Sequence, residues 1–462
     1  MIYGIHSIFD EAFALANYCF PLEYVEDRLK IAYVSNLSSE EAIRQRLFES
    51  KIDDFYFEPY PISEVNRLIH TYYTIELKDR ELYKRIREYI KNEQFEKLFL
   101  FVVEKAQDFG ASDIHISQEE GLCLIRFRLK GKLKTFCAIE EKIAQILGRI
   151  IKVKGNADIS RSLRAIDTRI QIELQKQELD IRVSIINTME GEKISLRLLG
   201  NENVPKSVKN LGISESDIGR IEKALAKESG AVLVTGPTGS GKSSSIRCFL
   251  NEINDGTKHI ISIEDPVEYK MPGVTQIQVD NRDENSFADG VRSILRQDPD
   301  ILFIGEIRDE VSAEVAMKAS ITGHLVFTTL HTKTPSLAIE RLENLGIDRH
   351  LIFSSISMII NQRLVGEECK FCQTSVIYQG EDIEQLGLKN RDVIHMSSGC
   401  DKCGYSGIAR RVPLMSIVEL DDKKREEYFA QGMLGEDDGI LKQIIQKFKD
   451  KEISLAEARR FL

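Results

Sequence analysis

The chain has 462 residues, 29% charged and 42% hydrophobic, with a formal net charge of −10. That balance is typical of a soluble globular chain of several domains, and the absence of an 18-residue apolar run argues against a membrane-spanning helix. The acidic balance disfavours a chain that wraps DNA, so no direct nucleic-acid partner is expected; with Asp10 and Glu11 early and no basic leader before an apolar core, a cytoplasmic location is expected, with membrane attachment only through partner proteins.

Residues 1–75 read as a small α/β module. Lys30–Ser35 and Phe55–Phe57 have strand patterns, Ser38 and Ser39 can cap a helix over Glu40–Ser50, and a second helix follows over Ile62–Tyr73. Residues 76–98 are rich in charge. Leu82, Ile86 and Ile90 form a narrow apolar stripe there, which predicts a solvated linker helix. Residues 99–199 read as a second α/β domain. Phe99, Val102, Val103 and Ala106 share one helix face, and strands are predicted at Leu122–Leu129, Arg169–Leu174, Asp180–Ile186 and Lys193–Leu199, with Gly131 in a turn.

Residues 200–212 are polar with Gly and Pro and predict a linker. From 213 to 365 short apolar strands alternate with helices, the pattern of a parallel sheet covered on both faces. Residues 366–412 hold two cysteine pairs, and 413–462 read as helical. The chain has no internal repeat and no low-complexity stretch.

Within the parallel-sheet region, the apolar strand Ala231–Thr235 runs into Gly236-Pro237-Thr238-Gly239-Ser240-Gly241-Lys242-Ser243, and a helix follows from Ser244. This is G-x-x-x-x-G-K-S in the strand–loop–helix context that the motif requires. The three glycines let successive N–H groups converge on one anion, and the helix N-terminus adds partial positive charge. Residues 236–244 are therefore the expected ATP-binding segment, with Lys242 reaching the β- and γ-phosphates and Ser243 holding Mg²⁺.

A phosphate loop also needs carboxylates. Ile301–Ile304 is a buried-strand pattern ending in Gly305-Glu306, which puts Glu306 at the ligand edge of such a sheet as a magnesium-site candidate. His259–Ile263 ends in Glu264, Asp265 and Glu268. A third strand at Leu325–Phe327 is flanked by His324 and His331, either of which could sense a γ-phosphate. Strand capping is the competing role for His324 and Glu264.

Cys369-x-x-Cys372 and Cys400-x-x-Cys403 are separated by 27 residues. Each pair can present two thiolates from one tight turn, and two such turns complete a tetrahedral Zn²⁺ site with no open position, hence a structural one. Cys19, Cys123, Cys137 and Cys248 read as small apolar fillers.

In this order the motifs resemble the type II secretion and type IV pilus assembly ATPases, the GspE/PilB group. The resemblance is carried by Ala111–Ile116, Gly191–Leu199, the phosphate loop, Ile263–Tyr269, Asp298–Asp300 with Gly305–Asp309, Thr322–Val326, Thr329–Thr332 and the four cysteines. It implies a RecA-like P-loop core, a preceding PAS-like α/β domain and a tetracysteine zinc insertion. By position it implies that Glu268 activates water, Glu306 serves magnesium, His324 and His331 form a histidine box, and Arg182 and Arg197 reach ATP from the preceding domain. It further implies a homohexamer that powers a pilus or pseudopilus through an inner-membrane platform protein and a membrane-anchored docking protein. In one place the chain departs from the family pattern: Ala165-Ile-Asp-Thr-Arg169 stands where the family has Pro-Gln-Asp-Gly-Arg. A DNA-translocating P-loop ATPase is the competing class, which the acidic charge disfavours.

Overall fold

Among the described residues the strands form three larger sheets and one two-stranded pair. The computed structural model describes all residues except 1–7, 10, 36, 76–78, 120–121, 158–164, 175–176, 200–204, 206, 268, 280–285, 379–380, 433 and 435–438. The chain divides into two units: residues 1–202 with 369–374 and 397–407, and residues 203–368 with 375–396 and 408–462.

The first unit opens with a small sheet of β1 (Cys19–Val25), β2 (Arg28–Tyr33) and β3 (Phe55–Pro59). β1 and β2 form a hairpin. Its turn residues Glu26 and Asp27 both have positive φ, as a two-residue turn matched to strand twist requires. β3 runs parallel to β2, reached through the helix Glu40–Glu49, whose N-cap Ser39 accepts from the Ala42 N–H. Phe20, Leu29, Ile31, Ile43, Leu47, Val65 and Ile69 form its core.

The larger sheet of this unit is antiparallel throughout. It comprises β4 (Ala111–Glu119), β5 (Leu122–Leu129), β6 (Lys132–Glu140), β7 (Ile166–Leu174), β8 (Gln177–Thr188) and β9 (Gly191–Leu199), in the order β6-β5-β4-β9-β8-β7. Side chains alternate across such a sheet. Ile114, Phe127, Ile170, Val183 and Leu196 are buried in one core with the helices Phe95–Asp108 and Glu141–Lys154. Phe127 stacks on Phe136 with ring centroids 4.4 Å apart.

The same core contains Leu82 and Ile86, on the helix Arg80–Lys91. The stripe expected to belong to a solvated linker is therefore a packing face. A narrow stripe suffices because the helix is covered on one side only, by aromatic residues such as Phe101, which lies 5.6 Å from Tyr89.

The second unit is built on a seven-stranded sheet. Its strands are β10 (Gly230–Thr235), β11 (Ile260–Glu264), β12 (Val274–Gln278), β13 (Ile301–Ile304), β14 (Leu325–Leu330), β15 (Ile356–Glu368) and an edge strand, Ile408–Glu419. The cysteine-bearing stretch adds β16 (Gln373–Ile377) and β17 (Val393–Ser397), which pair with each other, so the edge strand is β18. The order is β12-β11-β13-β14-β10-β15-β18, parallel except for the antiparallel β15–β18 pair. Every side chain of β10 from Ala231 onward, and all of β13 and β14, are buried, as strands covered on both faces demand. One face packs the helices Glu310–Ile321, Pro335–Asn344 and Arg349–Ser355; the other packs Glu215–Leu225 and Lys242–Ile253.

Two expectations change here. Residues 366–412 are not one body: 369–374 and 397–407 group with the first unit, whereas 375–396 group with the second. The tail is not helical from 413, because β18 continues to Glu419, which pairs with Met358 of β15. Its helices follow at Asp422–Gln431, Gly439–Lys449 and Leu455–Arg459.

Phe127 is fully buried between Phe136 and the helix layer. Phe127→Ala should destabilise the β4–β9 sheet by about 3–5 kcal/mol, the cost of an unfilled aromatic cavity. Hydrogen exchange of the β5 amides would accelerate accordingly, and wild-type exchange rates there would contradict the packing.

Candidate functional site

Parallel pairing puts the C-terminal ends of β10, β11, β13 and β14 on one edge of the sheet. Loops leaving that edge converge, which is where ligands bind in open α/β sheets. β10 delivers the chain to Gly236, and the helix Lys242–Ile253 starts six residues later.

The loop has little room. Gly236 has φ +145°, and a Cβ there would lie 2.4 Å from the Gln362 carbonyl oxygen. Gly241 has φ +86°, and a Cβ would lie 2.9 Å from Gln362 Nε2. Only glycine meets both the angle and the clearance. The N-cap of the helix that follows is Gly241, which offers no side chain to the first-turn N–H groups, where Ser243 and Ser244 stand.

Lys242 is 7% exposed. Its ammonium donates to the carbonyls of Gly236 at 2.9 Å and Pro237 at 3.1 Å, and meets His331 Nδ1 at 3.3 Å. The opposite ring nitrogen of His331, Nε2, lies 3.5 Å from Glu306 Oε1. An ammonium has only donors, so Nδ1 is the acceptor and Nε2 carries the ring proton towards the carboxylate. Lys242, His331 and Glu306 thus form one polar chain drawn from three loops. Burial lowers the Lys242 pKa below its ordinary value, the Glu306 charge opposes that, and the Arg363 charge adds to it.

Glu306 also accepts from Arg308 at 3.3 Å, and Arg308 reaches Asp265 at 2.8 Å, tying the loops after β11 and β13 together. Glu264 is buried and accepts from Ser262 at 2.8 Å and Gln276 at 3.0 Å. Those bonds make it a brace between β11 and β12. Glu268 lies outside the described residues.

The structure does not bring His324 to this edge. It precedes β14, its carbonyl accepts from Gly230 at the start of β10, and its Nδ1 meets the Ala319 carbonyl at 2.9 Å, closing the helix Glu310–Ile321. Strand rise places it roughly 20 Å from His331, at the other end of the sheet. Its expected role at the phosphate is therefore withdrawn in favour of a helix-terminal one.

Arg182 and Arg197 lie in the first unit and face each other across β8 and β9. The same cross-strand row continues to Arg169 on β7 and, through Asp113 on β4, to Arg128 on β5. Directly opposed residues share a sheet face, so four guanidiniums line one row. Asp113 pairs with Arg197 at 3.1 Å and Arg128 at 3.6 Å, and Asp180 pairs with Arg169 at 2.8 Å. Asp113 and Asp180 thus partner three of the four arginines in the row.

The four cysteines come together. All their sulfurs lie within 4.8 Å of one another, with Cys369–Cys400 at 3.9 Å, Cys372–Cys403 at 4.0 Å and Cys400–Cys403 at 3.9 Å. A tetrahedron with metal–sulfur bonds of about 2.3 Å has edges of about 3.8 Å, whereas a disulfide brings sulfurs to about 2.0 Å. The spacing fits a tetrathiolate metal centre.

Asn361, Gln362 and Arg363 on β15 escaped the sequence reading. Gln362, 1% exposed, donates to the Ser240 carbonyl at 2.7 Å and accepts from Ser245 at 2.9 Å, so it staples the loop to the helix. Asn361 donates to Thr235 Oγ1 at 2.8 Å, and Arg363 to the Lys333 carbonyl at 2.9 Å. The signal was there: three polar residues interrupt the apolar run Ile356–Val365.

The family described as type II/IV secretion system protein matches residues 89–458. Type II secretion system protein E of Dickeya dadantii (strain 3937) is 38% identical over 315 residues, covering 68% of this chain and 63% of that protein. The type IV pilus assembly ATPase PilB of Thermus thermophilus is 33% identical over 333 residues, 71% of this chain and 38% of its own length. The chain thus spans less than two thirds of the length of these relatives. Among solved structures, the ATPase DotB of Legionella pneumophila superposes with a TM-score of 0.56 at 22% identity, covering 78% of this chain and 93% of DotB. At that identity the likeness concerns the fold alone.

Replacing Gln362 by Leu leaves the buried Ser240 carbonyl and Ser245 hydroxyl without their partner. A cost of about 1–3 kcal/mol per stranded group should weaken binding of a fluorescent ATP analogue about 10-fold or more. Unchanged affinity would show that the staple does not shape the loop.

Proposed function

The chain belongs to the type II/IV secretion system protein family, and from that membership we propose that it is an ATPase motor that hydrolyses ATP at the Gly236–Ser244 loop to drive assembly of a pilus or pseudopilus. The observation that carries this reading is the convergence of Lys242, His331 and Glu306 at the loop, with His331 3.3 Å from Lys242 and 3.5 Å from Glu306. No described helix is long and apolar enough to cross a membrane. By resemblance to the secretion and pilus ATPases, the reading places the protein in the cytoplasm, at the inner membrane through a platform protein and a docking protein, as a homohexamer.

The roles follow from chemistry. Gly236, Pro237, Thr238, Gly239, Ser240 and Gly241 wrap the phosphates with backbone N–H groups. The Lys242 ammonium exchanges its two loop carbonyls for β- and γ-phosphate oxygens. Ser243 and Glu306 are the residues that would hold Mg²⁺, which supplies charge neutralisation between the β- and γ-phosphates. His331, hydrogen-bonded to Lys242 and facing Glu306, couples the phosphate end of the site to the loop after β13. Glu268 is the residue assigned to water activation by resemblance. By resemblance, Arg182 and Arg197 are the residues assigned to counter the charge that builds on the γ-phosphate as the bond to ADP breaks. Cys369, Cys372, Cys400 and Cys403 would hold Zn²⁺ in a structural role, since four protein thiolates leave no open position.

Lys242→Ala should abolish phosphate release from ATP, read by a colorimetric phosphate assay, and a mutant with normal turnover would refute the site. Arg197→Ala should lower kcat about 100-fold while nucleotide affinity changes only a few-fold, because charge on the phosphoryl group is greater in the transition state. Equal losses of affinity and turnover would contradict that role.

A further inference from the structure

The cysteine turns are part of the unit that holds the six-stranded antiparallel sheet. Three contacts join them to it. Lys130 and Gly131, at φ +49° and +86°, make the tight turn between β5 and β6, and from it the Lys130 ammonium donates to the Cys403 carbonyl at 3.4 Å. Gly404 follows at φ +60°, where a Cβ would lie 3.1 Å from the Phe109 carbonyl oxygen. Tyr405 then packs edge-on against Phe109, with centroids 5.8 Å apart, at the margin of the core that contains Phe127 and Phe136.

Lys130 brings a positive charge to the cysteine turns. It is half-buried, and withdrawing an ammonium from water costs stability unless an anion compensates. The adjacent group is strongly anionic when loaded: four thiolates around one divalent ion leave two negative charges in excess. Residues that balance and orient a metal's ligands from outside are often as consequential as the ligands themselves. A lysine suits this task because its compact charge needs no planar partner.

We propose that Lys130 is the counter-ion of the tetracysteine metal centre, so that the bound metal fastens the cysteine turns to the β5–β6 turn of the antiparallel sheet. The ammonium offsets the excess charge of the cluster and at the same time anchors the Cys403 carbonyl, which fixes the second cysteine turn in its metal-ready form. Metal retention and the local order of the β5–β6 turn are then linked: each stabilises the other. This assignment rests on the zinc reading given above.

The test uses the full-length chain purified with zinc, and follows metal release to a coloured pyridylazo chelator. Lys130→Met keeps the aliphatic stem and removes the charge, and should release zinc about 10-fold faster than wild type, the lower end of the usual effect of outer-shell residues. Lys130→Arg restores a cation and should release zinc within about 3-fold of wild type. Equal release from Lys130→Met and wild type would overturn the proposal. A second measurement needs no substitution: stripping zinc from the wild-type protein should accelerate hydrogen exchange at residues 128–133, and unchanged exchange there would also overturn it. A wild-type protein that carries no zinc at all would instead sink the metal reading beneath it.

Discussion

The proposed nucleotide site depends on one constraint: β10 runs parallel to both β14 and β15, in the register Gly230–Leu325 and Thr235–Leu330 on one side and Thr235–Asn361 on the other. Parallel register aligns strand ends. It puts the phosphate loop, the His331 turn and the polar triplet Asn361–Arg363 side by side without any of them being near another in sequence. Because these strands are covered on both faces, their polar groups can emerge only at the edges. The polar groups of the candidate site are therefore concentrated where the apolar runs stop.

That concentration has an electrostatic consequence. Lys242 is buried, and its ammonium is supported by two carbonyls, an imidazole and the field of Glu306. These neutral and anionic partners hold a cation in place, which in the proposed function lowers the reorganisation needed to meet a phosphate. The nearby carboxylates are apportioned by their partners. Glu264 is consumed by internal hydrogen bonds, Asp265 and Glu306 share Arg308, and Glu306 keeps one oxygen towards His331. Adjacent acidic residues in sequence thus have different duties, decided by what each one touches.

The antiparallel sheet of the first unit works differently. Alternation sends its apolar side chains to two helices and its arginines to the other face. Arg128, Arg197, Arg182 and Arg169 stand in one cross-strand row, an arrangement that like charges oppose. Asp113 and Asp180 relieve part of that repulsion. Arg169 sits in the row even though its surroundings depart from the family pattern, because strand register, and not the missing Pro and Gly, sets its direction.

The amino-acid sequence by itself determined the contiguous chemistry. The glycine-rich loop between strand and helix, the two C-x-x-C turns and the alternation of apolar runs all act over a few residues, so local composition reveals them. The tertiary structure decided what depends on distance across the chain. Leu82 and Ile86 look like one side of a solvated helix until the core that covers them is known. His324 and His331 look equivalent in sequence, yet the strand between them sends them to opposite ends of the sheet. Gln362 reads as an interruption of a strand and turns out to staple the phosphate loop, since its partners lie 117 and 122 residues away. Periodicity specifies which face a residue takes, whereas only the pairing of strands specifies which neighbour it meets.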